Sequence, residues 1–101
     1  MERSRAPEIS RDDEVRRAYA TDASGLALVP DGVARATSAS EVAALLAEAA
    51  ASRTPVTTAG GQTSTTGASI TDDGILLSLR AMQRVIDIDP VARIARVEPA
   101  L

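Results

Sequence analysis

The strongest constraint on the fold lies between residues 32 and 79, where extended and helical hydrophobic periods alternate. GVARATS reads as a short strand. Ser38-Ala39-Ser40-Glu41 then has the form of a capping box, in which the serine hydroxyl accepts from the third amide and the glutamate reaches back. Val42, Leu45, Leu46, Ala49 and Ala50 follow the i, i+3, i+4, i+7, i+8 spacing of one buried helical stripe. Alanine fills most of the remaining positions and favours helix. The helix is expected to stop near Ser52, because Pro55 biases the residue before it away from helical angles. PVTT reads as a second strand, and GILLSL, Gly74 to Leu79, as a third. A run so continuously apolar suits a strand covered on both faces. Strand, helix, strand at this spacing is a βαβ unit, right-handed and parallel.

The flanks differ in character. Downstream, VIDID and RIARVE are alternating strands joined by a short connection around Pro90, most simply an antiparallel hairpin. Upstream, DDEVRRAYA suits one or two helical turns, and LALVPDG a short extended piece ended by Pro30, Asp31 and Gly32. The expected class is therefore α/β grading into α+β: a small parallel βαβ subdomain followed by the start of an antiparallel sheet.

Composition narrows the chemistry. A chain of 101 residues suits one small domain. Tyr19 is its only aromatic residue, so the core must be built from Ala, Val, Ile and Leu. Cysteine and histidine are absent, which removes disulfides, thiolate metal sites and the commonest general base. No nucleophile–base pair can be assembled from what remains. The net charge is −3 and the arginines are scattered, leaving no basic stripe for nucleic acid. MERSRAPEISRDDEVRR has no apolar core of the kind a secretory signal needs. No apolar run approaches the roughly 20 residues of a membrane helix. A soluble, cytoplasmic chain is the expectation.

One stretch asks for a specific explanation. PVTTAGGQTSTTG places two adjacent glycines and a run of hydroxyl side chains directly after the second strand. Ligands in open α/β sheets tend to bind at the carboxyl ends of strands. Glycines there allow positive φ and close backbone approach. Successive amides then form a nest for an anion, with Thr63, Ser64, Thr65 and Thr66 as additional donors. Phosphate is the natural candidate. The stretch lacks both the lysine of a P-loop and the GxGxxG spacing. A flexible connector is the competing reading of the same residues.

PVTTAGGQTSTTG, followed by DDGILLSLRAMQRVIDIDPVARIARVEPAL, resembles the first part of the FAD-binding domain of FAD-linked oxidases. These form the vanillyl-alcohol oxidase and p-cresol methylhydroxylase superfamily. The most similar branch holds glycolate oxidase and D-lactate dehydrogenase flavoprotein subunits, which read PVTPRGGGTSLTGG and then LSRMNRVLEIDPENRTARVEPGV. YATDASGLALVPDGVARATSASEVAALLAEA also resembles the family, so the likeness covers roughly residues 19 to 101. Arginine often stands in the family where this chain has Ala59, and a third glycine where it has Gln62.

The resemblance implies a cofactor, FAD, whose pyrophosphate is wrapped by Ala59, Gly60, Gly61, Gln62, Thr63 and Ser64. Thr58 precedes them at the strand end and Gly67 closes the loop. It implies no catalytic residue and no metal ligand within these positions. Met82 is expected to pack beneath the sheet, with Arg80 and Arg84 solvent-facing or paired. Asp87 and Asp89 are expected on an exposed strand face, and Tyr19 as a packing anchor. Residues 1–32 would form a lead segment and residues 33–101 the truncated first part of the domain. In the family a second glycine-rich segment and a substrate domain follow, and these would be the chain's partners. The parent activity implied is flavin-dependent oxidation of a 2-hydroxy acid such as D-lactate or glycolate, with this chain inactive alone. The alternative is a non-catalytic α/β module that docks on a partner through the hairpin around Val85 to Val97.

Overall fold

A computed structural model describes residues 5–101; residues 1–4, the start of the expected lead segment, lie outside them. The elements in chain order are β1 (Ile9–Ser10), α1 (Asp13–Ala18), β2 (Gly32–Arg35), α2 (Ala39–Ser52), β3 (Val56–Ala59), β4 (Ile75–Ser78), β5 (Val85–Asp89) and β6 (Ile94–Val97). The strands make a sheet of order β1-β2-β4-β3 and a separate β5-β6 ribbon.

The βαβ expectation holds, with one refinement. β2 and β3 are parallel but do not touch; β4 runs between them, parallel to both. Its composition explains the placement. All of ILLS is buried, so it takes the central position where both edges are hydrogen-bonded and both faces covered. On one face Leu45 of α2 packs with Ala34, Ile75, Leu77 and Met82. On the other, Val33, Ala59 and Leu76 meet Val15 of α1 and Tyr19. Met82 and Tyr19 thus take the packing roles expected of them. Leu45, Leu76 and Leu77 are almost wholly shielded, each contributing about 1.5–3 kcal/mol.

Helix α2 begins and ends by local chemistry. The Ser38 hydroxyl accepts from the Glu41 N–H at 3.3 Å. Glu41 reaches back one residue further than a standard capping box, accepting from the Thr37 N–H at 2.9 Å and from the Thr37 hydroxyl. At the far end Arg53 is left-handed (φ 54°) and donates to the carbonyls of Ala49 and Ala50. The apolar stripe is narrower than expected. Val42, Leu45 and Ala49 face the sheet, whereas Leu46 and Ala50 are exposed. The sheet beneath is only a few strands wide, and a short helix covers it with one narrow seam.

The upstream segment also differs. LALVPDG forms no strand; only one bridge, Thr21 to Ala27, is made there. The extra strand is instead β1, antiparallel to β2. Gly32 permits that approach, since a β-carbon on it would lie 2.6 Å from Ile9 Cγ2.

The hairpin is antiparallel as expected, with a bulge between Val85 and Asp87 and a turn over Pro90 to Arg93. Asp89 Oδ1 accepts from the N–H groups of Val91 and Ala92 and fixes that turn. At the base the buried Glu98 carboxylate accepts from the Arg84 N–H (2.8 Å) and Nε (3.1 Å). The Glu98 N–H returns a bond to the Arg84 carbonyl at 2.9 Å, and the Ala100 N–H bonds the Met82 carbonyl at 3.0 Å. This stem carries residues 98–101 back to the carboxyl edge of the sheet. Every residue of β5 and β6 is exposed.

Candidate functional site

Arg35, Ser78 and Ala59 lie in one register row, the last of the parallel strands β2, β4 and β3. That row is the carboxyl edge, and the loop of residues 60–67 leaves from it. The Leu79 N–H bonds the Ala59 carbonyl at 2.8 Å, which extends the ladder one step and holds the loop's first residue. Ala59 is buried in the core, so the loop starts from a rigid point.

Gly60 and Gly61 come next. Among the described residues, none accepts a hydrogen bond from the main-chain N–H of Gly60, Gly61, Gln62, Thr63 or Ser64. The space beside the glycines is open. A β-carbon on Gly60 would find its nearest heavy atom at 4.0 Å, Ala100 Cβ, and one on Gly61 at 3.8 Å, Thr63 Cγ2. Neither glycine is therefore required by internal packing. The smallness of this pair leaves room for something to approach the backbone, beside five consecutive amides that have no acceptor among the described residues.

The left-handed position is not where the sequence pointed. Gly60 and Gly61 have negative φ; the positive values belong to Gln62 (54°) and Gly67 (80°). Gln62 occupies this conformation because its side chain is held. Its Nε2 donates to the Tyr19 carbonyl at 2.9 Å and the Ser69 carbonyl at 3.1 Å. Those bonds offset the cost of left-handed backbone in a non-glycine residue, about 1–2 kcal/mol.

The hydroxyls divide into two groups. Ser64 Oγ accepts from the N–H of Thr66 at 3.2 Å and of Ala68 at 3.4 Å, so its lone pairs serve the loop itself. Its oxygen also lies 3.2 Å from the Thr66 hydroxyl, and either of the two can donate. Thr63 and Thr65 are exposed. Thr58 lies inside β3 in register with Leu77, one step behind the edge, and is exposed there. Gly67 turns the chain at the far end with φ of +80°, a conformation that favours glycine. The structure thus brings Ala59, Gly60, Gly61, Gln62, Thr63 and Ser64 together at one rim, with Thr58 and Gly67 as its two ends.

A network missed in the sequence supports the loop from below. Asp22 accepts from the Ser24 hydroxyl (2.5 Å), the Ser24 N–H (2.9 Å) and the Ser69 hydroxyl (3.1 Å). The Ser24 hydroxyl is the chief cause that holds this carboxyl below the usual carboxylate range, against a partial desolvation that pushes it up. The Arg35 guanidinium lies 5.7 Å from the Tyr19 ring centroid, a cation–π contact at the same edge. The only available signal was the Asp-Ala-Ser triplet itself, which marks an Asx turn without saying what else it holds.

Two clefts occur elsewhere. One of about 450 Å³ is lined by Glu8, Ser10, Val15, Val33 and Arg35. Another of about 280 Å³ lies between α2 and β1, lined by residues that include Leu45, Glu48 and Ile75. Neither of these two is lined by a residue of the loop. Among the described residues no group of three or more His, Cys, Asp or Glu is placed to hold a metal. No helix among them is long and apolar enough to cross a membrane.

Comparison with known proteins decides what such a loop belongs to. A family profile described as an FAD binding domain matches residues 30–101, most of the chain. The chain belongs to the FAD binding domain family. Its fold is that of the vanillyl-alcohol oxidase and p-cresol methylhydroxylase flavoproteins, and its cofactor is FAD. Xylooligosaccharide oxidase from Myceliophthora thermophila C1, solved with xylobiose, has a TM-score of 0.73 at 20% identity. 6-Hydroxy-D-nicotine oxidase from Arthrobacter nicotinovorans has a TM-score of 0.74 at 28% identity. Each match covers 93% of this chain but only 20% and 21% of those enzymes, so the FAD binding domain chain spans about a fifth of their length. No curated protein matches the chain.

Proposed function

We propose that this chain supplies the diphosphate-binding rim of a flavin-dependent oxidoreductase. In this reading Thr58, Ala59, Gly60, Gly61, Gln62, Thr63, Ser64 and Gly67 hold the FAD pyrophosphate. The observation that carries it is the run of main-chain N–H groups from Gly60 to Ser64 with no acceptor among the described residues, at a strand edge where two glycines keep the approach open. Aligned amide dipoles in a partly dry rim stabilise an anion without a cationic side chain. Thr63 adds a hydroxyl. Ala59 and Gln62 anchor the two sides of the glycine pair, so the donors need little reorganisation when phosphate replaces their water.

When bound, the flavin supplies the redox chemistry, and the protein supplies position and electrostatics. For the parent enzyme we propose a 2-hydroxy acid as substrate, supported by the likeness of residues 55–101 to the glycolate oxidase and D-lactate dehydrogenase branch. The two similar structures are named for other substrates, a xylooligosaccharide and 6-hydroxy-D-nicotine. The fold therefore does not choose among them. The location we propose is the cytoplasm. Alone, the chain is expected to be catalytically inactive, since in the family it resembles the substrate residues lie in the domain that follows this part.

The test is FAD titration of the chain, followed by flavin fluorescence, beside Gly60→Ala and Gly61→Ala. A β-carbon meets nothing closer than 3.8 Å at either position, so unfolding temperatures should be retained while FAD affinity falls at least tenfold. Equal affinity in all three proteins would refute the assignment.

A second reading rests on the hairpin. Ile86, Ile88, Val91 and Ile94 are each more than half exposed, and a lone two-stranded ribbon is marginal in water. We propose that the remaining FAD-binding and substrate domains cover it. If the chain proves to bind no flavin, this same surface makes it a non-catalytic module that docks on a partner chain.

A further inference from the structure

We infer that Gln62 is a positioning residue that clamps the lead segment, Tyr19 to Ser24, onto the glycine loop and orders the loop before a diphosphate arrives. The inference rests on the cradle reading for its ligand, but its geometry stands apart from it. Among the described residues of the loop, 60–67, Gln62 is the one whose side chain hydrogen-bonds across to the segment that holds Tyr19. Its amide nitrogen has two protons, and each finds a carbonyl: Tyr19 at 2.9 Å, 43 positions away, and Ser69 at 3.1 Å. Ser69 is buried and closes the circuit through its own hydroxyl to Asp22, 47 positions away, at 3.1 Å. Asp22 in turn gathers both donors of Ser24. Tyr19 is fixed from its other side by packing on Val33, Ala59 and Leu76 and by the Arg35 guanidinium.

The consequence concerns entropy. Glycine pairs are the most mobile backbone a loop can contain, and ordering them on binding costs affinity. Here Ala59 pins one side of the pair and Gln62 the other, leaving two residues to be ordered. A glycine at position 62 would adopt the same φ without strain but would leave the loop unattached from Ala59 to Ser64.

The experiment compares the full chain with Gln62→Gly and Gln62→Glu, reading amide exchange by NMR and FAD affinity by fluorescence. Gln62→Gly keeps the backbone angle and deletes both donors. Gln62→Glu keeps the shape but turns an oxygen toward two carbonyls. The clamp predicts roughly tenfold faster exchange at Ala20, Ser24, Ala68 and Ile70 in the glycine variant, the worth of about one net hydrogen bond, and a larger rise in the glutamate variant. Leu76 and Leu77 in the sheet should be unchanged. FAD affinity should fall in the same order. A glutamate variant that exchanges like the wild type would show that Gln62 merely fills space, and would overturn the clamp. Faster exchange with unchanged FAD affinity would overturn its role in ordering the site. Absence of FAD binding by the wild type refutes the cradle reading instead, and the exchange pattern then decides the clamp by itself.

Discussion

A β-carbon placed on Gly74 would lie 2.2 Å from the carbonyl oxygen of Pro55, the atom that accepts the Ile75 N–H at 2.9 Å. This contact is where the last strand of the parallel set enters between the other two. Gly74 also has φ of +80°, and its N–H donates to Asp31 Oδ2 at 2.8 Å. Gly74→Ala is therefore expected to cost at least ~3 kcal/mol, from left-handed strain and main-chain collision together. Thermal unfolding checks this: a shift of only a degree or two would mean that β4 tolerates a different entrance.

Helix α2 should be sensitive at its start. Ser38→Ala removes the hydroxyl that receives the Glu41 N–H and should cost ~1 kcal/mol. For comparison, Leu45→Ala, at the centre of the seam between α2 and the sheet, should cost ~2–5 kcal/mol. Denaturant melts of the two variants should rank in that order, with equal slopes.

The Asp22 junction gives a pH prediction. Its carboxyl is held low, first by the Ser24 hydroxyl, so the folded pKa lies below the unfolded one. The stability it contributes is present above the unfolded carboxylate range and is lost as pH falls through the folded value. The window thus lies below about pH 4. Asp13, Glu41 and Glu98 are also lowered and titrate on the same side. Unfolding temperature against pH for wild type and Asp22→Asn isolates one share. The variant should be less stable at neutral pH, and the two curves should converge in acid. Parallel curves would contradict the junction.

Charge on the ribbon should change association more than folding. Ile88 is 64% exposed on an unpaired strand edge. Ile88→Lys is expected to lower self-association, read by sedimentation velocity, while leaving the unfolding midpoint within about 0.5 kcal/mol of wild type. Unaltered association would place the sticky surface elsewhere.

Much of this fold was legible because its signals are local. The Ser38 cap, the stop before Pro55, the apolar GILLSL run and the alternating VIDID and RIARVE strands each carry their own instruction. Strand order was not local. Nothing in GILLSL alone says that it inserts between β2 and β3; that follows from which strand most needs burial on both edges. The site was half legible. The glycine pair marked the rim, but the roles of its members depended on long-range partners. Gln62 could be seen as a departure from the family's glycine, not as the bearer of the positive φ, because its carbonyl partners at Tyr19 and Ser69 are visible only in three dimensions. The same holds for Ser64, whose hydroxyl oxygen accepts from the N–H groups of Thr66 and Ala68.

The most direct measurement is a ¹⁵N-resolved titration of the isotopically labelled chain with FAD, and with ADP as the diphosphate-bearing half. If the rim grips a diphosphate, the amide resonances of Gly60, Gly61, Gln62, Thr63 and Ser64 should move downfield together with both ligands, while those of β5 and β6 stay fixed under ADP. Saturating ligand that leaves Gly60 and Gly61 unmoved, or shifts concentrated at another part of the chain, would contradict the account.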